Sequence, residues 1–180
     1  MGENRRLCHP QLFIENTSRI GLEGPNGTGK STLISAIMAR LHQVASSIPT
    51  VYMPQELSTE KAQELLAELK ELPSVDRGRV LSLVARLNSD PDRILSGDKL
   101  SPGELRKILL ATSVLQEPQL IIMDEPTNHL DLQSVEALEA VLADCPCALV
   151  LVSHDGPFLD ALCKERWVFN LDGEVRIRYA

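Results

Sequence analysis

Aromatic side chains are scarce in this 180-residue sequence, in which one Trp, two Tyr and three Phe make up 3% of the residues. Proteins that bind single-stranded nucleic acid stack bases on such rings, so the scarcity argues against that class of protein. Basic residues are also in deficit, because 18 Lys and Arg stand against 25 Asp and Glu, for a net charge of −7. An acidic surface of this kind does not favour binding to phosphate backbones.

Long apolar runs are lacking as well. The longest, such as Ala148–Val152, have five or six residues, far short of the ~20 that cross a bilayer. The first residues contain no apolar segment typical of a secretory signal. Four cysteines allow two disulfides, but a chain of this length buries a sufficient core without them. We therefore expect a cytosolic protein whose cysteines, including the pair in Cys145-Pro146-Cys147, are reduced and structural rather than metal-binding or redox-active.

Short apolar segments alternate with amphipathic ones, a pattern typical of an α/β domain with a largely parallel sheet. Strands are predicted at Arg19–Glu23, Val51–Met53, Leu120–Met123 and Ala148–Val152, with a terminal hairpin of Trp167–Leu171 and Glu174–Arg178. Helices are predicted at Ser31–Val44, from Ser101 to about Gln116, and at Leu132–Ala143. The charged helical stretch from Ser58 to Asn88 indicates an inserted subdomain. The sequence thus predicts one domain over residues 1–180, with a core of 1–56 and 99–180 and a helical subdomain of about 57–98.

The segment Gly24–Ser31, GPNGTGKS, matches the phosphate-loop pattern G-x-x-x-x-G-K-[ST] and lies between a predicted strand and a predicted helix. In such loops backbone N–H groups hold phosphates, the lysine contacts the β- and γ-phosphates, and the hydroxyl binds Mg2+. The alternative is a glycine-rich turn that merely links the two elements, which the match at four fixed positions disfavours. We predict that a nucleoside triphosphate is bound by Gly24, Pro25, Asn26, Gly27, Thr28, Gly29, Lys30, Ser31 and Thr32.

Two acidic residues, Asp124 and Glu125, follow an apolar predicted strand at its carboxyl end, where open α/β sheets bind ligands. Asp124 is a candidate Mg2+ ligand, and Glu125 is a candidate general base for an attacking water. His154 follows the strand ALVLV and is expected at the same edge. The simpler alternatives are that the acids only end a strand and that the histidine is a hydrogen-bonded structural residue.

The chain resembles the nucleotide-binding domain of ATP-binding-cassette (ABC) proteins over essentially its whole length. The resemblance rests on five segments in family order: GPNGTGKST, PQE at Pro54–Glu56, LSPGE at Leu100–Glu104, LIIMDEPTNHLD at Leu120–Asp131 and VSHD at Val152–Asp155. It implies an α/β fold of the P-loop NTPase class, with a mostly parallel central sheet, antiparallel strands at the ends and an inserted helical subdomain. It also implies that the domain hydrolyses ATP with Mg2+.

Residue roles follow from the same resemblance. Glu125 corresponds to the catalytic base, His154 to the histidine that contacts the γ-phosphate, and Lys30 to the lysine that stabilises phosphate charge. Gln55 corresponds to the glutamine that touches Mg2+ and the attacking water. The metal ligands implied are Ser31, Gln55 and Asp124.

The LSPGE segment carries a further implication. In ABC proteins the corresponding segment caps the ATP held by a second nucleotide-binding domain, so Ser101, Gly103 and Glu104 are expected to act in trans. The segment His129–Asp131 is expected to communicate across such a dimer. Pro102 replaces the first glycine of the usual LSGG, which removes one N–H donor but suits the first turn of a helix. We expect the capping to be weakened or unchanged.

A second departure concerns adenine, which ABC domains usually stack on an aromatic ring upstream of the phosphate loop. Before Gly24 the sequence offers only Phe13, which we predict to pack in the core on a strand at Leu12–Ile14. We therefore expect weak binding of the base. We also expect the chain to be a piece of a longer protein, with the missing ring before Met1.

The motif DEPTNHLD and the Glu after Pro102-Gly103 resemble the ABC-F branch, and VYMPQE resembles the second of the two ATPase domains of its members. ABC-F proteins lack transmembrane segments and mostly act on the ribosome in translation or antibiotic resistance. The resemblance thus implies two partners, a second ABC domain (on the same longer chain or in a homodimer) and the ribosome. Two alternatives stay open: the ATP-binding subunit of a transporter, and a module that dimerises without turnover.

Overall fold

The structure, a computed structural model, describes residues 7–44, 47–96 and 100–179. Within these residues the strands are β1 (Arg19–Glu23), β2 (Thr50–Met53), β3 (Leu120–Asp124), β4 (Ala148–Val152), β5 (Glu165–Phe169) and β6 (Val175–Tyr179). The helices are α1 (Lys30–Val44), α2 (Thr59–Glu71), α3 (Ser74–Arg86), α4 (Pro91–Ser96), α5 (Pro102–Val114), α6 (Leu132–Ala143) and α7 (Gly156–Leu162). The predicted strands and helices of the core are confirmed to within a few residues.

The strands form one sheet in the order β2-β3-β4-β1-β5-β6. The pairs from β2 to β5 are parallel, and β6 joins β5 in antiparallel register at one end. Strand β4 lies between β3 and β1, so the carboxyl ends of these three strands are neighbours. The predicted fold class, a mostly parallel sheet with an antiparallel end, is confirmed. The topology also places a ligand site at this edge.

Both faces of the sheet are buried, which explains why β3 and β4 are apolar without alternation. On one face Leu149 and Leu151 belong to a core cluster with Leu138 of α6 and Phe158 of α7. On the other face the cluster includes Ile34 of α1. The helices that carry the site are therefore anchored by apolar packing on the strands that also carry it.

The charged stretch from Ser58 to Asn88 forms two helices, α2 and α3, and the short helix α4 follows it. Helix α2 begins after the N-cap Ser58, whose Oγ accepts from the Lys61 N–H, and Pro73 separates α2 from α3. The apolar sides of α2, α3 and α4 pack with α5 around a third cluster that includes Leu65 and Val84. The predicted boundary at residue 98 lies outside the described residues.

The segment before β1 differs from the prediction. Leu12–Ile14 is not a strand, and Phe13 is 63% exposed rather than packed in the core. Leu12 and Ile14 are partly buried against the sheet, so the ring between them faces away from it.

Two predictions about the whole chain can be compared with the structure. The four cysteines are free thiols, as predicted. Among the described residues, no helix has both the length and the apolar character needed to cross a membrane.

Candidate functional site

The phosphate loop connects β1 to α1 and closes around its own lysine. Lys30 Nζ donates hydrogen bonds to the carbonyl oxygens of Gly24 (2.6 Å) and Pro25 (3.0 Å), and Thr28 Oγ1 donates to Pro25 O (2.8 Å). Gly24 has a φ of 140°, and a Cβ there would collide with the Phe169 carbonyl oxygen. Glycine is therefore required for the loop to leave the sheet at this point.

The loop opens on a cavity of about 490 Å³ at the carboxyl edge of the sheet. The residues that line it are Asn26, Gly27, Gly29, Lys30, Ser31, Thr32, Gln55, Asp124, Glu125, Asn128 and His154. All but Asn128 were candidates from the sequence. The candidates Gly24, Pro25 and Thr28 do not line the cavity, and the first two supply the carbonyls that hold Lys30. Three separate chain segments thus meet the loop at one site.

Lys30 and Asp124 are buried, and burial disfavours the charged forms of both side chains. Lys30 is 7% exposed and Asp124 is 9% exposed. Burial lowers the Lys30 pKa, an effect opposed by the negative charges of Glu125 and Asp124. Burial also raises the Asp124 pKa, opposed by Lys30, by Arg106 and by a hydrogen bond with Ser31. The Asp124 carboxylate, the Ser31 hydroxyl and the Gln55 amide line the same cavity, and oxygen ligands of this kind suit Mg2+.

The raised Asp124 pKa leads to a stability prediction. Because this pKa is higher in the folded chain than in the unfolded chain, ionised Asp124 costs folding free energy at pH 7. We expect Asp124→Asn to raise the Tm of the nucleotide-free chain by roughly 2 °C or more. Thermal unfolding by circular dichroism at pH 7 checks this. A lower Tm in the variant would show that the carboxylate stabilises the empty site. Asp172→Asn, at an exposed turn residue, is the control and should leave the Tm unchanged.

Glu125 is held at the cavity by a strained backbone. Its φ is +49°, a conformation that non-glycine residues rarely adopt, and its N–H donates to the Val152 carbonyl at 2.8 Å. Its carboxylate oxygens lie 3.4 Å from the His154 Nε2 and the His154 backbone N. His154 Nε2 also lies 3.0 Å from Asn26 Oδ1. The ends of β3 and β4 and the phosphate loop thus join in one polar network.

Arg106 is a site residue that the sequence reading missed. It is 5% exposed, and its guanidinium donates to the Asp124 and Glu125 carbonyls at 2.8 Å each. Weaker bonds of 3.3 Å reach the carbonyls of Asn128 and Pro54. One side chain of α5 thus fixes the backbone on both sides of the cavity. Its helical spacing is the signal in the sequence that could have found it. Arg106 stands three residues after the buried Gly103 and four before the buried Leu110.

The LSPGE segment begins α5 but does not line the main cavity. Ser101 is the N-cap of a capping box, in which its N–H and Oγ donate to Glu104 Oε2 at 2.7 and 2.8 Å. The Glu104 carboxylate also lies 3.3 Å from the Arg93 guanidinium. A Cβ on Gly103 would lie 2.9 Å from the His129 carbonyl oxygen. Ser101, Gly103 and Glu104 instead line a separate cavity of about 310 Å³ that includes His129.

A third, smaller cavity of about 100 Å³ adjoins the outer side of the phosphate loop. It is lined by Leu7, Thr28, Gly29, Thr32, Asn170, Leu171 and Gly173. A Cβ on Gly29 would meet Leu7 Cδ2 at 2.8 Å, so Leu7 packs closely on the loop. Among the described residues, the lining of this cavity is aliphatic and polar, without an aromatic ring.

Comparisons with known proteins show which family the sequence resembles. The family model described as ABC transporter matches residues 9–128. The chain is 31% identical over 166 residues to the zinc import ATP-binding protein ZnuC of Photorhabdus laumondii subsp. laumondii, covering 86% of the chain and 65% of ZnuC. It is 33% identical over 181 residues to the ribosome protection protein VmlR of Bacillus subtilis, covering 96% of the chain and 33% of VmlR. The chain thus spans less than two thirds of either relative.

A solved structure shows the same fold. It is described as the dimeric structure of a post-hydrolysis state of the ATP-binding cassette MJ0796 bound to ADP and Pi. The two chains superpose with a TM-score of 0.67 over 93% of this chain and 88% of the other, at 19% identity. The fold resemblance therefore extends over nearly the whole of both chains.

Proposed function

The chain belongs to the ABC transporter family, and we propose that it binds ATP with Mg2+ and hydrolyses it at a site completed by a second ABC domain. The observation that carries the proposal is the cavity in which the phosphate loop, Gln55, Asp124, Glu125 and His154 meet. The carbonyls of Gly24 and Pro25 hold Lys30 at this cavity, where its ammonium can meet a bound phosphate.

ATP is bound chiefly through its phosphates. Loop N–H groups and the N-terminus of α1 hold the phosphate oxygens, and Lys30 moves its ammonium from the loop carbonyls to the β- and γ-phosphates. Ser31, Gln55 and Asp124 would hold Mg2+, which would neutralise phosphate charge. The adenine base contacts aliphatic side chains such as Leu7 and Leu171, so it contributes little to the affinity for ATP.

Hydrolysis needs a water in line with the γ-phosphate and a group that accepts its proton. The Glu125 carboxylate faces the cavity and is held by Arg106 at its backbone and by His154 at its side chain. It is the general base of the proposal, a role that contributes about 10²–10⁴-fold to rate. His154, 3.0 Å from Asn26 Oδ1, lies between the base and the loop and contacts the γ-phosphate.

The separation of the two cavities supports a shared site. Ser101 and Gly103 line the second cavity rather than the first, although the family resemblance assigns them to ATP. Ser101 is exposed at the N-terminus of the 13-residue helix α5, so its hydroxyl can reach a ligand held by another domain. A second ABC domain that faces this helix holds that ligand at its own phosphate loop.

The test is Ser101→Ala, with turnover and ATP affinity measured separately. We expect turnover to fall by about tenfold or more, because a hydrogen bond to a charged group is worth about 1.5–3 kcal/mol. The Kd for ATP at the chain's own loop should stay within about twofold. Loss of ATP binding in the variant would contradict the role in trans.

Ser58→Ala is the matched control for this test. Ser58 is also an exposed N-cap whose Oγ accepts from the backbone N–H three residues on. Both substitutions remove a cap and cost about 1 kcal/mol of stability. We expect Ser58→Ala to leave turnover unchanged, so that a loss specific to Ser101→Ala reports the site rather than the helix.

We further propose that the chain is an ATPase domain of an ABC-F protein that acts on the ribosome in translation or antibiotic resistance. The motif DEPTNHLD and the similarity to VmlR, which is named a ribosome protection protein, support this assignment. The test is sedimentation of the Glu125→Gln variant with ribosomes in the presence of ATP. Binding that needs ATP supports the proposal, and no binding at any ATP concentration contradicts it.

The alternative is the ATP-binding subunit of a transporter. The similarity to ZnuC, a zinc import ATP-binding protein, favours it at nearly the same identity. Such a subunit docks on a membrane partner. Purification of the chain from detergent-solubilised membranes of the source cell distinguishes the two proposals. A transporter subunit copurifies with a membrane protein, whereas an ABC-F protein copurifies with ribosomes.

A further inference from the structure

The turn between α6 and β4 contains two cysteines that no part of the nucleotide site uses. Cys145, Pro146 and Cys147 join the end of α6 to the start of β4, at the amino edge of the sheet, opposite the nucleotide cavity. The two sulfur atoms are 2.8 Å apart and share a hydrogen bond. The proline between them fixes one backbone angle of the turn. The chain therefore holds two thiols in contact within three residues.

A guanidinium borders this turn. Arg19, at the start of β1, donates to the carbonyl oxygen of Leu142 at 2.8 Å and to that of Cys145. The hydrogen bond from Cys147 lowers the pKa of the Cys145 thiol to about 7. The positive charge of Arg19 also lowers this pKa, whereas burial raises it. The same sulfur contact raises the pKa of Cys147. Cys145 is half-buried, whereas Cys147 is 2% exposed.

We propose that Cys145 and Cys147 form a dithiol site that undergoes exchange with small-molecule disulfides, with Cys145 attacking and Cys147 resolving. The Cys145 thiolate attacks one sulfur of the disulfide, whose S–S bond breaks and whose other half leaves and takes up a proton. Cys147 then loses its proton and attacks Cys145 Sγ, which expels the second thiolate. The protein thiols lose two protons and two electrons, and the small disulfide takes them up to become two thiols.

The geometry favours a disulfide over a metal ion as the product. An S–S bond measures about 2.04 Å, so the sulfurs need to approach by only about 0.8 Å. Two thiolates on one tetrahedral Zn2+, at Zn–S distances of about 2.3 Å, stand roughly 3.8 Å apart. In the part of the chain that the structure describes, no group of three or more His, Cys, Asp or Glu side chains could hold a metal ion.

The experiment exposes the reduced full chain to oxidised glutathione at pH 7 and maps the products by peptide mass spectrometry. We expect the peptide with residues 145–147 to lose two hydrogens. Cys147→Ala should stop at a glutathione adduct on Cys145, and Cys145→Ser should give no product at this turn. The exposed Cys8 is the internal reference, and it should gain only an adduct.

Three results would overturn the proposal: no loss of hydrogens at the turn while Cys8 is modified, a Cys147→Ala chain without an adduct on Cys145, or a disulfide that uses Cys163 instead. A second measurement does not depend on the variants. Brief alkylation of the wild-type chain should label Cys145 about tenfold or more ahead of Cys147, because the attacking thiol is the accessible thiolate. Equal labelling would contradict the assigned order of attack.

Discussion

Glu125→Gln should reduce ATP turnover by about 10²–10⁴-fold, the range that a general base contributes. The amide cannot accept the proton of the attacking water, but it keeps the size of the side chain and one acceptor oxygen for the His154 N–H. ATP binding should be retained, because the phosphate loop and Asp124 are unchanged. With hydrolysis blocked, two ATP-bound domains should stay closed on each other. Phosphate release measures the turnover, and light scattering with ATP measures the dimer.

Glu117→Gln is the matched control. Glu117 is exposed, lies before β3 rather than after it, and has the same backbone φ of 49° as Glu125. The control thus separates the effect of losing a carboxylate in that backbone conformation from the effect of losing the general base. A Glu125→Gln chain that turns over ATP at the wild-type rate and remains monomeric would show that another group removes the proton.

Arg106→Met should have the second-largest effect, on both turnover and stability. Without the guanidinium, four carbonyl oxygens lose a donor, including those of Asp124 and Glu125. We expect unfolding free energy to fall by about 2–4 kcal/mol, the cost of buried acceptors left unsatisfied. We also expect kcat to fall by about 100-fold, because catalytic groups displaced by about 1 Å lose that much rate. The KM for ATP should change far less, because the loop itself is untouched.

Lys107→Met separates the two effects of Arg106→Met. Lys107 is adjacent on α5 and similarly buried, but its ammonium donates to the Asn88 carbonyl (3.0 Å) and to Ser134 Oγ (2.7 Å) rather than to the cavity backbone. It should lower stability with little change in kcat. If both variants lose kcat in proportion to their stability, Arg106 is a structural residue without a positioning role. Urea unfolding and steady-state kinetics give the two quantities.

The sequence predicted what depends on local pattern. The apolar runs of β3 and β4 can only be strands covered on both faces, and the phosphate loop has a fixed spacing. Ser101 was predicted to start a helix, and its capping box with Glu104 shows the local cause. These features need a window of a few residues, so a single sequence suffices to find them.

What the sequence did not predict depends on contacts between distant segments. Phe13 stands among apolar neighbours, but Leu12 and Ile14 pack against the sheet and the ring between them faces solvent. The partners of Arg106 lie 18 to 52 residues away in the chain. Because arginine is charged, the sequence pattern did not assign Arg106 to the buried face of α5. Asn128 enters the cavity through the turn after Glu125. The roles of the cavity residues stay predictions until the variants are measured.

Mixing two defective chains tests the shared site most directly. Ser101→Ala keeps the base Glu125, and Glu125→Gln keeps the serine that completes a partner's site. We predict that adding Glu125→Gln to a fixed amount of Ser101→Ala raises phosphate release towards the wild-type rate per Ser101→Ala chain, because the mixed dimer contains one complete site. A rate that stays at the sum of the two separate chains at every ratio would contradict the account.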